Sequence, residues 1–187
     1  GHCLSLREGR LQIRQYWDLR FVDDSDFALD DYVDQLQELL RDAVRLRLRS
    51  DVPVGTHLSG GLDSSAISCL ASELLGGDLH VFTCGFKDAD RYDETRYARM
   101  VGEHLGAQYH EYFPSAGDLA DTFAQLVYWL DEPVAGAAVF PQYFLSRLAS
   151  ENVKVVLGGQ GGDEIFCGYA RYLIAYLESS LRRAVYG

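Results

Sequence analysis

The stretch Val54-Gly55-Thr56-His57-Leu58-Ser59-Gly60-Gly61-Leu62-Asp63-Ser64-Ser65 constrains this chain more than any other. A short strand-like run ends at Ser59. Two glycines follow, and Asp63-Ser64-Ser65 opens an apolar-periodic run from Ala66 to Leu75. That order reads as strand, tight turn, helix. Gly60 and Gly61 carry no Cβ, so backbone there can approach a ligand closely and take positive φ. The first N–H groups of the helix lack internal partners and sit at the positive end of its dipole. With the hydroxyls of Ser59, Ser64 and Ser65 they make a site suited to phosphate. No Gly-Lys-Ser/Thr follows, so this is not a Walker A loop, and the spacing is not Gly-x-Gly-x-x-Gly. Read from these residues alone, the alternative is a plain Gly-Gly turn with a Ser/Asp helix cap.

The rest of the chain alternates strand and helix patterns around that loop. Residues 1–14 predict a short hairpin about Glu8-Gly9, and Asp23-Asp24-Ser25-Asp26 predicts a linker ending in a helix N-cap. Residues 28–49 carry apolar side chains at spacings of three and four, the pattern of an amphipathic helix, stopped before Pro53. Strands are predicted at 79–86, 108–113 and 153–157. Helices are predicted at 93–105, 119–130 and 140–149, with a helical tail over 169–184. Such alternation implies right-handed βαβ units and a mainly parallel α/β sheet with flanking helices. Ligands of such sheets bind outside the carboxyl ends of the strands. Strands ending in glycine-containing loops at Ser59, Gly85 and Gly158 place all three loops on one rim.

Composition narrows the function. The 187 residues suit one domain with a real core. A formal charge of −11 opposes nonspecific nucleic-acid binding, and Arg41, Arg45, Arg47 and Arg49 read as the solvated face of one helix. No run reaches the length of a membrane span, and no basic, apolar leader begins the chain. Cys3, Cys69, Cys84 and Cys167 show no ligand spacing and predict buried thiols in a reducing compartment, so a cytoplasmic protein is expected. The five histidines show no metal-binding spacing, and His57 reads as packed rather than catalytic. Tyr128 and Trp129 read as core anchors.

A second glycine loop, Gly158-Gly159-Gln160-Gly161-Gly162, runs into Asp163-Glu164. These carboxylates would repel phosphate unless a cation stood between, and Mg²⁺ bridges carboxylate and phosphate oxygens. A flexible surface turn is the plainer reading. Asp63 occupies a similar position in the first loop.

The first loop resembles the SGGxDSS loop of the PP-loop ATP pyrophosphatases. Several further segments make the resemblance more specific: Phe82-Thr83-Cys84-Gly85-Phe86, Tyr92-Asp93-Glu94, Leu130-Asp131-Glu132-Pro133 and Gly161 to Tyr169. In order and distance they are similar to the synthetase domain of the glutamine-hydrolysing asparagine synthetase family. The resemblance implies a Rossmann-like fold of the adenine nucleotide alpha hydrolase type. It implies ATP held by pyrophosphate contacts from Ser59, Gly60, Gly61, Asp63, Ser64 and Ser65, with adenine near Leu58, Cys84, Gly158 and Gly159. Mg²⁺ would sit near Asp63 and Asp163. Gln160 would face substrate. Asp131 and Glu132 would help bind an amine or ammonia, or else form a turn. The activity implied is that of an ATP-dependent ligase: a carboxylate, aspartate in that family, is adenylated and then amidated by ammonia that a glutaminase domain draws from glutamine. Residues 1–22 resemble the end of that preceding domain and 23–187 part of the synthetase domain. The resemblance leaves a homodimer open.

Three departures qualify it. Asparagine synthetases commonly carry Glu where Gln160 stands, which opens the door to amidotransferases or cyclases of secondary metabolism acting on other carboxylates. The family's catalytic lysine follows the second loop, whereas this chain has only Lys87 and Lys154; the lysine is expected beyond residue 187. A non-catalytic nucleotide-binding piece is therefore a further reading, and the piece alone is expected to be inactive. Cys3 is not N-terminal and reads as packing, not as a glutaminase nucleophile.

Overall fold

The computed structural model describes residues 1–20, 28–87, 93–132, 136 and 138–186. These divide into two compact units, Gly1–Glu38 and Leu39–Gly187, the division falling inside helix α1 (Leu29–Arg47).

In the first unit, β1 (His2–Arg7) pairs antiparallel with β2 (Arg10–Gln15). Glu8 and Gly9 both take positive φ, 50° and 75°, the conformation that matches the twist of a two-residue hairpin. Opposition of Leu4 to Ile13 and of Leu6 to Leu11 gathers four apolar side chains on one face. The linker and cap expected at residues 23–26 lie outside the described residues.

The second unit holds a four-stranded sheet in the order β5 (Gln108–Tyr112), β4 (His80–Cys84), β3 (Val54–His57), β6 (Val155–Leu157). Every pairing is parallel, as the alternation of strands and helices requires. Helices α2 (Leu62–Leu75) and α3 (Thr95–Leu105) connect β3 to β4 and β4 to β5. Helices α4 (Ala116–Trp129) and α5 (Val139–Ser150) lie between β5 and β6. Two further helices, α6 (Gly162–Phe166) and α7 (Ala170–Tyr186), follow β6.

Strand alternation gives β3 two distinct faces. Thr56 faces α2, where its hydroxyl lies 2.7 Å from that of buried Ser68, and Leu58 joins Val44, Ala71, Leu79, Val81 and Ala98 in one core. The opposite face packs on α5, where Phe82 meets Ala149 and Val153 and is flanked by Leu145, Leu148 and Val156. Gly55 lets this second layer close: a Cβ there would stand 2.6 Å from the Phe82 ring and 2.8 Å from the His80 carbonyl.

Helix ends carry the expected chemistry. α2 stops at Gly76 and α3 at Gly106, both left-handed, with the following N–H groups bonded back to the last turn. α4 begins with a reciprocal capping box between Ser115 and Asp118. Asp93 accepts from both the N–H and the hydroxyl of Thr95 just before α3.

Three expectations need correction. Cys3, Cys69 and Cys167 are exposed and only Cys84 is half-buried, because Cys69 falls on the outer face of α2 and Cys3 and Cys167 lie outside the layered core. Tyr128 and Trp129 are not core anchors: α4 turns Leu126 inward and Tyr128 away, leaving Tyr128 78% exposed, while Trp129 leans at the flank on Tyr143, ring centroids 5.6 Å apart. The strand expected over 153–157 spans only Val155–Leu157, since Val153 already packs in the α5 layer.

Candidate nucleotide site

Parallel strands carry β3, β4 and β6 to one rim, and a cavity of about 670 Å³ opens there. Its walls come from the β3–α2 loop, the end of β4, helix α5 and the β6–α6 loop with the residues after it.

The β3–α2 loop is internally braced. The Ser59 and Ser64 hydroxyls lie 2.9 Å apart. The Ser59 N–H donates to Ser64 Oγ at 3.2 Å, and Ser64 Oγ donates to the Gly61 carbonyl at 3.1 Å. These hydroxyls hold the turn, and the backbone N–H groups at the start of α2 stand beside them. Gly61, the N-cap of α2, supplies no side chain; its own N–H donates to Ser59 Oγ at 3.3 Å, and no side-chain cap of this end occurs among the described residues. The N–H groups of the first turn are therefore open at the positive end of a 14-residue helix. Gly60 turns away from the cavity: at φ 89° it presses against the start of α3, where a Cβ would lie 2.8 to 2.9 Å from Ala98 N, Glu94 O and Tyr97 Cβ.

The two glycine loops meet. A Cβ on Gly159 would stand 2.8 Å from Ser64 N and 2.9 Å from Asp63 Cβ, and one on Gly162 would collide with the Asp63 carboxylate. Only glycine permits this approach, which brings Asp63 and Asp163 into the lining of one cavity. Beyond Asp163, Glu164 accepts from the Tyr169 hydroxyl at 2.8 Å, and this bond holds its carboxyl below the usual range. The Arg171 guanidinium lies 4.1 Å over the Tyr169 ring.

The opposite end of the cavity is apolar. Leu58, Phe82 and Leu145 line it, with Cys84, whose thiol burial pushes up to about 11. Thr83 contributes no free hydroxyl, since it donates to the Leu58 carbonyl at 2.7 Å. His57 also lines this end, on the α5 face of β3. Its Nε2 is enclosed and has no hydrogen-bond partner among the described residues, and burial lowers its pKa. An enclosed polar atom without a partner costs about 1–3 kcal/mol, so its place in a cavity wall calls for an explanation.

Of the residues singled out from the sequence, Leu58, Ser59, Gly61, Asp63, Ser64, Cys84, Gly159, Gln160 and Asp163 line this one cavity. Gly60 and Gly158 in the loops and Ser65 in the first turn of α2 lie outside the lining; Gln160 folds its side chain back over Gly158. Asp131 and Glu132, at the end of α4, are exposed and outside the lining. Neither lysine reaches it: Lys87 lies over Phe113, and the Lys154 N–H donates to Pro53 O at the far end of the sheet. Gln142, Leu145, Phe166 and Tyr169 were missed as lining residues. For Gln142 and Leu145 the signal would have been their one-turn spacing on α5, but nothing in sequence says which helix covers the rim.

The donor set fits a nucleotide triphosphate with a divalent cation. Open helix N–H groups and glycine backbone suit phosphate, two carboxylates in one lining suit a hard cation, and the apolar side chains suit a planar base. No group of three or more His, Cys, Asp or Glu able to hold a metal alone occurs among the described residues, so a cation here would need ligand oxygens as well.

Residues 35–185 match the asparagine synthase family. A relative from Methanocaldococcus jannaschii that carries a provisional name of glutamine-hydrolysing asparagine synthetase is 40% identical over 81% of this chain and 29% of its own length. Asparagine synthetase (glutamine-hydrolysing) 1 of Bacillus subtilis is 35% identical over 76% of this chain and 22% of its own. The chain thus spans under a third of these curated relatives. Among solved structures, an NH3-dependent NAD synthetase from Campylobacter jejuni aligns with a TM-score of 0.49 and 16% identity over 73% of this chain and 60% of its own. The family match runs from the middle of α1 through α7 and takes in both glycine loops, and the chain belongs to the asparagine synthase family.

Proposed function

We propose that this chain is the nucleotide-binding part of an ATP-dependent ligase that converts a carboxylate to an amide, with aspartate the first candidate substrate and ammonia from glutamine the nitrogen source. The observation that carries the reading is the contact of the two glycine loops, which sets Asp63, Asp163 and the open end of α2 around one cavity. Residues 1–22 are proposed to belong to the glutaminase domain that would supply the ammonia.

In such a reaction a substrate carboxylate attacks the α-phosphorus of ATP. Pyrophosphate leaves and an acyl-adenylate forms; ammonia then attacks the acyl carbon, AMP leaves and a proton is lost. AMP is a far better leaving group than hydroxide, which is why the detour through ATP is needed. The residues of this chain would bind and orient. The N–H groups opening α2 receive the β- and γ-phosphates, where negative charge grows as pyrophosphate departs. Asp63 and Asp163 would hold Mg²⁺, which supplies charge neutralisation. Leu58, Phe82, Cys84 and Leu145 keep water from the base. Cys84, with its raised pKa, stays a neutral thiol in this wall.

The test is pyrophosphate release by the full-length protein. Release that needs aspartate, with asparagine formed, is the expected result; no release with any carboxylate overturns the ligase reading. Gln160, in a position where asparagine synthetases commonly carry Glu, favours a second reading in which another carboxylate is the substrate. Release with that acid and not with aspartate would select it.

A further inference from the structure

Three carboxylates line the cavity, Asp63, Asp163 and Glu164, and no lysine or arginine stands among its described lining residues. The reading above gives Asp63 and Asp163 to Mg²⁺. Glu164 is left over, a negative charge in the wall of a site that must admit a triphosphate and a carboxylate. Such a charge disfavours any ligand that brings no cation of its own. The structure nevertheless holds Glu164 in the wall. Its Oε1 accepts from the hydroxyl of Tyr169 at 2.8 Å, and Tyr169 lines the cavity too. The Tyr169 ring is in turn fixed by Arg171, whose guanidinium lies 4.1 Å from its centroid and 5.3 Å from that of Tyr172. The turn between α6 and α7 closes without the Tyr169–Glu164 bond. Cys167 takes the left-handed conformation at φ 59°, and the Gly168 N–H donates to the Asp163 carbonyl at 3.0 Å. Glu164 is exposed, so its carboxylate is open to a ligand. The bond from Tyr169 uses one of about four acceptor positions on that carboxylate. With its proton directed at Glu164, the phenol oxygen can still accept. Two acceptor groups side by side, one of them charged, match an ammonium, which carries only donors.

We propose that Glu164, positioned by Tyr169, receives the ammonium group of the acyl substrate, so that the ligase takes amino acids and rejects acids without an amino group. The proposal deepens the ligase reading above and rests on it. An amino acid brings its own positive charge to offset Glu164, while its reacting carboxylate is left for the α-phosphorus. An acid without that group sets its negative charge against Glu164 with nothing in return. The hydrogen bond from Tyr169, with the charge of Arg171 nearby, holds the Glu164 carboxyl below the usual range, so it stays ionised and able to pair. Gln160, the other polar side chain of this loop in the lining, folds back over Gly158 and does not compete for the role. Tyr169 acts through Glu164 as a positioning residue, and Arg171 acts through the Tyr169 ring.

The experiment is pyrophosphate exchange into ATP by the full-length protein, run without ammonia so that adenylation alone is read. Its substrates are aspartate and succinate, which is aspartate without the amino group. Wild type is expected to favour aspartate by about tenfold or more in kcat/KM, the scale of one charge-assisted hydrogen bond. Glu164→Gln should raise the aspartate KM by about tenfold, with kcat little changed and succinate used no worse. Tyr169→Phe keeps the ring, loses the hydroxyl and should raise the aspartate KM by about threefold. MgATP affinity, read by calorimetric titration, should stay unchanged in both variants. A purely structural role would weaken both acids alike and leave their ratio unmoved. Equal use of the two acids by wild type, or an unchanged ratio in Glu164→Gln, overturns the proposal and leaves the adenylating site standing. A raised ammonia requirement in amide formation, with the aspartate KM unmoved, assigns Glu164 to ammonia and overturns it as well. Where another acid is the substrate, it is compared with its own analogue lacking the amino group, and a substrate without one overturns the proposal. No exchange with any carboxylate refutes the ligase reading itself. Should Glu164→Gln lose MgATP, the fold has been disturbed, and the ratio in Tyr169→Phe decides alone.

Discussion

Replacing Gly60 by Ala tests the claim that the first loop is shaped by close approach to α3 and not merely by tolerance of glycine. Gly60 sits at φ 89°, where an L side chain is strained, and its added Cβ would meet three atoms, two of them backbone, at 2.8 to 2.9 Å. Left-handed strain contributes about 1–2 kcal/mol. Forcing α3 or the loop aside adds about 1–3 kcal/mol, as other overpacked substitutions do. Reduced freedom of the unfolded chain returns about 0.4–1 kcal/mol. The net loss is about 1–4.5 kcal/mol, a large part of the 5–15 kcal/mol that holds an ordinary domain together. Gly61→Ala is the control. Gly61 has φ −72° and ψ 164°, which any residue adopts, and its added Cβ would meet only Ser59 Oγ, at 3.4 Å. It should change stability by no more than about 0.5 kcal/mol, yet weaken MgATP binding, because Gly61 lines the cavity. Urea denaturation followed by far-ultraviolet circular dichroism reads the first quantity and calorimetric titration the second. Equal stabilities for the two variants, or a Gly60→Ala loss below about 1 kcal/mol, would refute the reasoning.

Cysteine labelling and pH give two further checks. With its pKa pushed up to about 11 from 9.0, Cys84 should present about a hundredfold less thiolate than an ordinary thiol and alkylate correspondingly slowly at pH 8, while exposed Cys3, Cys69 and Cys167 react first; mass-spectrometric mapping with iodoacetamide reads the order, and early labelling of Cys84 contradicts its enclosed position. Burial lowers the pKa of His57, and burial with the neighbouring His80 lowers that of His110, which lies 3.0 Å from it, Nε2 to Nδ1. Both rings are therefore favoured neutral in the fold, so stability is fully present above the unfolded histidine pKa near 6.5 and is lost as pH falls below it through the lowered folded values. The urea midpoint should drop between pH 7 and pH 5, and His110→Gln should flatten that drop; a midpoint that rises on acidification would contradict the sign.

Much of this protein was legible in one dimension because its signals are local. Strand, glycine pair and helix follow each other within a dozen residues around Gly60, and the periods of two and of three to four separate β3 from α2 without reference to anything distant. Alternation of such segments forces parallel pairing, and parallel pairing puts every strand-end loop on one rim, so pattern alone places the first and second glycine loops together. The chemistry of those loops was legible for the same reason: glycine, serine and aspartate carry their properties with them.

What only the tertiary structure decided depends on which layer covers which face. The sequence presents Ser59 and Ser64 as hydroxyl-bearing loop residues, and only the fold shows that their hydroxyls bond each other and Gly61 and so brace the turn. Tyr128 and Trp129 look like core residues by type, but burial is set by helix phase against a neighbour, and α4 turns Tyr128 outward. His57 looks like one more packed histidine on a strand. It becomes a cavity wall because Thr56 and Leu58 are committed to α2, because α5 leaves the rim of the other face open, and because nothing among the described residues reaches its Nε2. Local pattern determines where elements begin and what chemistry they carry; the packing of elements far apart in the chain determines which of those groups remain free to meet a ligand.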